Sequence, residues 1–273
     1  MKMNREKRRD SEKGSLAGQN GKLTTDGVVN TIVHEHTEPL GGSSEKTAPP
    51  VDSLYAQVQL DPEFTDFINL ADEHITVLGY TEHGLRHVKI VAERAGEVLE
   101  ALGYTAKEID HARVAGYLHD IGNFISRHDH GQTGAVLLYQ MMKSRYGEQL
   151  SNRDLGVILS AVGSHEEQYG QAFNNIAAAV IIADKSDVHR TRVKSYDRNK
   201  RDIHDDVNYA VTDSQLEVDT EARDIHLRLT IDPQTASVMN YFQIFLSRME
   251  MCRNSAQFLG CTFKLWINGM QVA

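Results

Sequence analysis

The sequence predicts a mainly α-helical domain followed by a small C-terminal α+β unit of ββαβ order. Three observations carry this. From Leu54 to about residue 190 apolar residues recur at three- and four-residue spacing, the period of helices with one buried face. Within that stretch Thr105 is followed three residues later by Glu108, the pattern of a capping box at a helix start. Beyond about residue 210 the period falls to two, as in Ile225-His226-Leu227-Arg228-Leu229-Thr230-Ile231, which is how half-buried strands read.

Residues 1–52 are rich in Lys, Glu, Gly, Ser and Thr and end in Gly41-Gly42-Ser43-Ser44 and Pro49-Pro50. Such a stretch buries too little apolar surface to offset its ordering entropy, so a disordered tail is expected. Residues 53–210 form the predicted helical domain. Phe64, Phe67, Ile68 and Leu70 mark its first part. A long helix is expected from Thr81 to Leu102, with Leu85, Val88, Val91, Ala92, Ala95, Val98 and Leu99 as its apolar stripe and Gly103 as its stop. The helix opened by Thr105 runs through Leu118. Further helices are expected over 131–146, 151–163 behind the cap candidate Ser151, and 173–190, the last carrying the dense run Ile176 to Ala183. Residues 211–273 form the appendage: strands near 215–218, 225–231 and 261–267, a helix from about Thr235 to Leu259, and a turn at Asn268-Gly269. With no cluster of acids, bases or ligands, it is expected to serve oligomerisation or to cover the helical domain.

A net charge of −9, from 38 acidic and 29 basic residues, offers no general attraction to nucleic acid or to an anionic membrane. The two cysteines, Cys252 and Cys261, make neither a disulfide framework nor a cysteine-rich zinc site. No apolar run is long enough to span a bilayer, and no apolar segment follows the basic residues Arg5 to Arg9, so a cytoplasmic address is expected.

The chemistry concentrates where the helices end. His119-Asp120 closes an apolar helix in Gly116-Tyr117-Leu118-His119-Asp120-Ile121-Gly122. A buried His-Asp pair is costly unless it is paired or holds a cation. Asp184 closes the apolar run 173–183 in the same costly way, and His87 lies on the preceding long helix. His87, His119, Asp120 and Asp184 can therefore converge from three helices on one metal ion, and imidazole with carboxylate suits Zn, Fe or Mn better than Ca. His83 competes with His87, one helical turn away on the expected helix. Val88, Val91 and Ala92 set His87 deeper in the apolar stripe, which leaves His83 for the pocket mouth, within reach of substrate.

The order His…His-Asp…Asp, with His119-Asp120-Ile121-Gly122 and Ala183-Asp184-Lys185, resembles the HD-domain superfamily of metal-dependent phosphohydrolases over roughly residues 78–195. The resemblance implies an HD-type helical fold and hydrolysis of a phosphate ester or anhydride of a nucleotide or other small phosphorylated metabolite. In HD proteins carrying two metals, further histidines occur between the His-Asp pair and the last Asp. His130, favoured over His128 because Gly-x-x-Gly-Ala follows it, and His165 stand at those places. The arrangement is similar to that of the symmetrical dinucleoside-tetraphosphate hydrolases. It implies one or two divalent ions, with Fe, Mn, Mg and Zn all open, and Asp120 as a bridging carboxylate. A metal-activated hydroxide then serves as nucleophile. Lys185 beside Asp184, together with Arg86, Arg190 and Arg192, are candidates to grip substrate phosphate. After His165-Glu166-Glu167 the chain reads Gln168-Tyr169-Gly170-Gln171, without the Gly-Tyr-Pro signature of the cyclic-di-GMP-cleaving subgroup. Two alternatives stand beside hydrolysis: a non-catalytic ligand-binding or scaffold module, and a di-iron oxygenase.

Overall fold

In the computed structural model residues 52–168, 170–194 and 203–273 are described, and they form nine α-helices and one four-stranded sheet. The tail expected over residues 1–52 lies, except for Asp52, outside them. The first two helices each start on a side-chain cap. Ser53 accepts from the Ala56 N–H to open α1 (Leu54–Leu60). Asp61 accepts from the Glu63 N–H to open α2 (Pro62–Val77), with Pro62 at the first helical position.

Helix α3 runs Leu85–Ala101, four residues shorter at its start than the apolar pattern predicts. The physical reason is Glu82. Its carboxylate accepts from the N–H groups of Gly84 at 2.9 Å and His87 at 3.4 Å, satisfying orphan donors from outside the helix. His83 therefore precedes the helix instead of sharing its face with His87, and its N–H is fixed by Asp72 Oδ1 at 2.8 Å. The predicted capping box opens α4 (Ala106–Leu118), which packs along α3. The fit is close at Gly116, where a Cβ would lie 2.9 Å from Ala92 Cα. A 3-10 turn, Ile121–Phe124, links α4 to the loop before α5 (His130–Tyr146). Gly122 leaves no room for a side chain there, because a Cβ would strike the His130 carbonyl. Ser151 caps α6 (Asn152–Gly163) as expected.

Helix α7 (Asn175–Ser186) also differs from expectation, stopping short of residue 190. Asp187 leaves helical geometry, with ψ at 73°, and turns its carboxylate to His87. Its carbonyl, one of the orphans of a helix C-terminus, accepts from Arg192 Nη1 at 2.9 Å. Arg190–Arg192 form a separate 3-10 turn, so the arginines do not share a helix with Asp184. Helix α8 (Ile203–Ala210) leads into the sheet.

Strands β1 (Val211–Asp219) and β2 (Asp224–Ile231) are antiparallel. Helix α9 (Val238–Phe258) crosses over to β3 (Thr262–Ile267), which pairs parallel to β2. A two-residue strand β4 (Met270–Gln271), not expected from the sequence, follows the Asn268-Gly269 turn, where φ is 51° and 82°. It is too short to show alternation. The alternating residues Ile225, Leu227, Leu229 and Ile231 join Val91, Ala183, Tyr241 and Phe245 in one hydrophobic cluster, so helices and sheet share a core. Among the described residues no helix is long and apolar enough to cross a membrane.

Candidate metal centre

Five imidazole rings line up inside the helical part. Successive ring centroids are 5.5 Å apart for His83 and His87, 5.1 Å for His87 and His119, 4.8 Å for His119 and His165, and 4.9 Å for His165 and His130. His87 comes from the first turn of α3, His119 from the end of α4, His130 from the first residue of α5 and His165 from just past α6. Four helix ends thus deliver one ring each. His128, the competitor for the place of His130, is exposed on the loop.

The four inner rings are fixed the same way round. His119 Nδ1 donates to the Gly116 carbonyl at 2.7 Å and His165 Nδ1 to the Val162 carbonyl at 2.6 Å. His87 Nδ1 lies 2.7 Å from Asp187 Oδ2. His130 Nδ1 faces the Arg127 carbonyl at 3.1 Å and the Glu166 carboxylate. All of these partners can only accept, so in the neutral imidazoles the proton sits on Nδ1 and Nε2 keeps its lone pair. Four Nε2 atoms face inward.

Asp120 stands between them with one oxygen for each pair. Its Oδ2 lies 3.2 Å from His119 Nε2 and 3.6 Å from His87 Nε2. Its Oδ1 lies 3.1 Å from His130 Nε2 and 3.5 Å from His165 Nε2. Asp184 Oδ1 closes the first pair, 3.4 Å from His87 Nε2 and 3.7 Å from His119 Nε2, while its Oδ2 meets Lys185 Nζ at 2.6 Å. Asn123 donates to Asp120 Oδ1 at 3.0 Å and fixes the carboxylate plane.

This arrangement fits a metal. His87 Nε2, His119 Nε2 and Asp120 Oδ2 are buried polar atoms without a hydrogen-bond partner, a costly state that a cation relieves. Three overlapping ligand groups, each with its atoms within 4.8 Å of one another, can be drawn: His87, His119 and Asp120; Asp120, His130 and His165; His119, His165 and Asp184. Without an ion, electrostatics strain the cluster. Burial disfavours charge on His119, but the adjoining Asp120 and Asp184 outweigh it and push its pKa up to about 10. Burial with the neighbouring His119 and His130 cations pulls His165 down to about 4, against the pull of Asp120. The carboxyl of Asp120, though buried, is held well below the usual carboxylate range by the surrounding imidazoles.

The remaining predicted residues fall into two groups. His83 and Lys185 adjoin the cluster. The ring of His83 is fixed by Nδ1 to the Thr81 carbonyl at 2.6 Å, and enclosure together with the Arg192 cation holds its pKa well below the ordinary histidine value. The three arginines are engaged elsewhere. Arg86 is bonded to Glu82, Nε to Oε2 at 2.9 Å, and to both Asp187 oxygens at 2.9 and 3.3 Å. Buried Arg192 donates from Nε, Nη1 and Nη2 to the carbonyls of Glu82 and Asp187. Arg190 packs over the Tyr209 ring, 5.3 Å from its centroid.

The sequence reading missed Asp187, Glu166, Asn123 and Arg127, the partners that orient the ligands. Asp187 and Glu166 each follow a proposed ligand within three residues, a signal visible only once the helix ends are known.

Residues 84–198 match the family described as HD domain. The uncharacterized protein MJ1020 of Methanocaldococcus jannaschii is 31% identical over 134 residues, which cover 42% of this chain and 51% of that protein. The chain therefore spans about half the length of the curated relative it matches. No solved structure matches it significantly.

Proposed function

Residues 84–198 of this chain are an HD domain, and from that premise we propose that the protein is a metal-dependent phosphohydrolase. It cleaves a phosphate ester or anhydride of a nucleotide or other small phosphorylated metabolite. The observation that carries this reading is the set of four inward Nε2 atoms around the two oxygens of Asp120.

The donors divide naturally into two pockets. His87, His119, Asp120 Oδ2 and Asp184 would hold one divalent ion, and Asp120 Oδ1, His130 and His165 a second, with Asp120 shared. Nitrogen and carboxylate donors in this ratio suit Zn, Fe or Mn, and Mg remains open. When bound, such ions lower the pKa of water towards neutrality and offset phosphoryl charge.

The chain's own residues do the rest. Asp187 and Glu166 hold His87 and His130 in the tautomer that presents Nε2, as carboxylates behind ligating histidines do. Arg86 and Arg192, expected to grip phosphate, instead lie 2.9 and 3.7 Å from Asp187 Oδ2 and hold it in place. Lys185 neutralises the outer oxygen of Asp184. His83, neutral at pH 7 with Nδ1 tied to Thr81, keeps a lone pair on Nε2 that can take the proton of an attacking water. The deep burial of the rings keeps bulk water from competing for the donors.

The test is a panel of phosphate esters, dinucleoside polyphosphates and nucleotides, offered to metal-stripped protein with and without added Mn, Fe, Zn or Mg. Turnover that appears only on metal return supports the reading. No turnover on any member with any metal contradicts it.

A further inference from the structure

Among the described residues Arg127 is the cation at the cluster that pairs with no carboxylate. It lies on the loop between the 3-10 turn and α5, and its carbonyl already accepts from His130 Nδ1. Its side chain returns to the same ring from the other side. Nη1 lies 3.5 Å from His130 Nε2 and donates to Asn123 Oδ1 at 3.3 Å. Asn123 in turn donates to Asp120 Oδ1, so a single amide links this guanidinium to the central carboxylate. The group also packs over the ring of Tyr80, 5.0 Å from its centroid. Stacking and the two hydrogen bonds of Nη1 thus fix the side chain before any ligand arrives.

What distinguishes Arg127 is its unneutralised charge. Arg86 is paired with two carboxylates and Arg192 has its N–H groups committed to carbonyls. Arg127 has no salt-bridge partner among the described residues, and its Nε and Nη2 have no acceptor there. It is half-buried, so solvent and ligand can reach it. In a chain of net charge −9, a pre-set guanidinium beside a carboxylate-rich cluster has no pairing among the described residues to explain it.

We propose that Arg127 is the anchor for the substrate's phosphoryl oxygens, taking a phosphate dianion on its free Nε and Nη2 at the His130 and His165 side of the cluster. The planar fork matches two oxygens of one phosphate. This assignment rests on the metal-dependent reading above. It sets the substrate's orientation: the phosphate to be cleaved sits against Asp120, His130 and His165, and the organic portion extends past Tyr80 towards solvent.

The test uses the full chain, metal content measured by elemental analysis and inorganic phosphate as the probe in equilibrium binding. Arg127→Gln should weaken phosphate binding by roughly tenfold or more, the usual effect of losing charged hydrogen bonds, with metal content unchanged. Arg127→Lys, which keeps the charge but not the fork, should fall between the two. Wild-type phosphate affinity in Arg127→Gln at equal metal content overturns the assignment. So does loss of metal in both variants, which would make Arg127 a support for His130. A wild-type chain that takes up no metal overturns the underlying reading instead, and is recognised before phosphate is added.

Discussion

Asp187 Oδ2 lies 2.7 Å from Nδ1 of His87, at the point where α7 gives up its helical course. The contact joins the end of the helix that carries Asp184 to the start of the helix that carries His87, and buried Asp187 is itself held by Arg86 and Arg192. Burial works against its charge, but His87 and the two guanidinium groups hold the carboxyl far below its ordinary value, so it is an anion at any working pH. Asp187→Asn keeps the shape and removes the charge. Metal affinity of the His87 pocket is expected to fall by about 10–100-fold, read by competition with a chromophoric chelator. Unaltered affinity would show that the imidazole needs no anionic support.

His165 separates two metals from one. His165→Ala should lower metal content from two ions per chain towards one and reduce turnover by about a hundredfold or more. Loss of both ions together would mean that the two pockets fill as a unit. Unchanged content would leave the second pocket without support.

Metal uptake should depend on pH with a definite sign. His119 has its folded pKa raised to about 10, so it is protonated at neutral pH in the metal-free protein, and a metal must displace that proton. His130 is shifted upward too, Asp120 and Glu166 outweighing burial. His165, near 4, is already neutral and releases none. Apparent affinity should therefore rise as pH climbs from 6 to 8, by about tenfold per unit for each proton displaced. Calorimetric titration in two buffers of different ionisation enthalpy counts the protons. A flat affinity with no proton release would contradict the assignment.

The close crossing of α3 and α4 ties stability to the site. A Cβ at Gly116 would lie 2.9 Å from Ala92 Cα and 3.0 Å from Ala92 N, both backbone atoms that cannot swing aside. Gly116→Ala should cost about 1–3 kcal/mol by overpacking and move His87 and His119 apart. Thermal unfolding of metal-free protein measures the first effect and metal affinity the second. Wild-type values in both would show that the helices separate without consequence.

The sequence disclosed those parts of the site whose burial carries a cost. His119-Asp120 and Asp184 stand out because charged or polar groups end apolar helices, and His87 because it interrupts an apolar stripe. The capping box at Thr105 and the cap at Ser151 are local bonds between near neighbours, and the structure contains both. Asp187, Glu166 and Arg127 were not legible for the opposite reason. Each owes its place to a contact between segments distant in sequence or to a loop turn, such as the left-handed Asp129 at φ 54° before His130. Apolar periodicity is silent on such contacts. It also placed His83 on α3, because a side chain at Glu82 doing the work of a cap leaves no mark on the pattern. Alternation revealed the strands but not their order, since it shows which face is buried and not which strand lies alongside.

On the proposed reading Asp120 joins two metal pockets into one hydrolytic centre, so the Asp120→Ala variant is the decisive protein to measure. Metal content and turnover should be measured together on purified, folded protein, with the best substrate from the phosphate-ester panel. The variant should fold, hold less than one ion per chain and lose hydrolysis by several orders of magnitude, because the removed carboxylate serves both pockets. A folded Asp120→Ala protein that keeps wild-type turnover after metal stripping would contradict that reading.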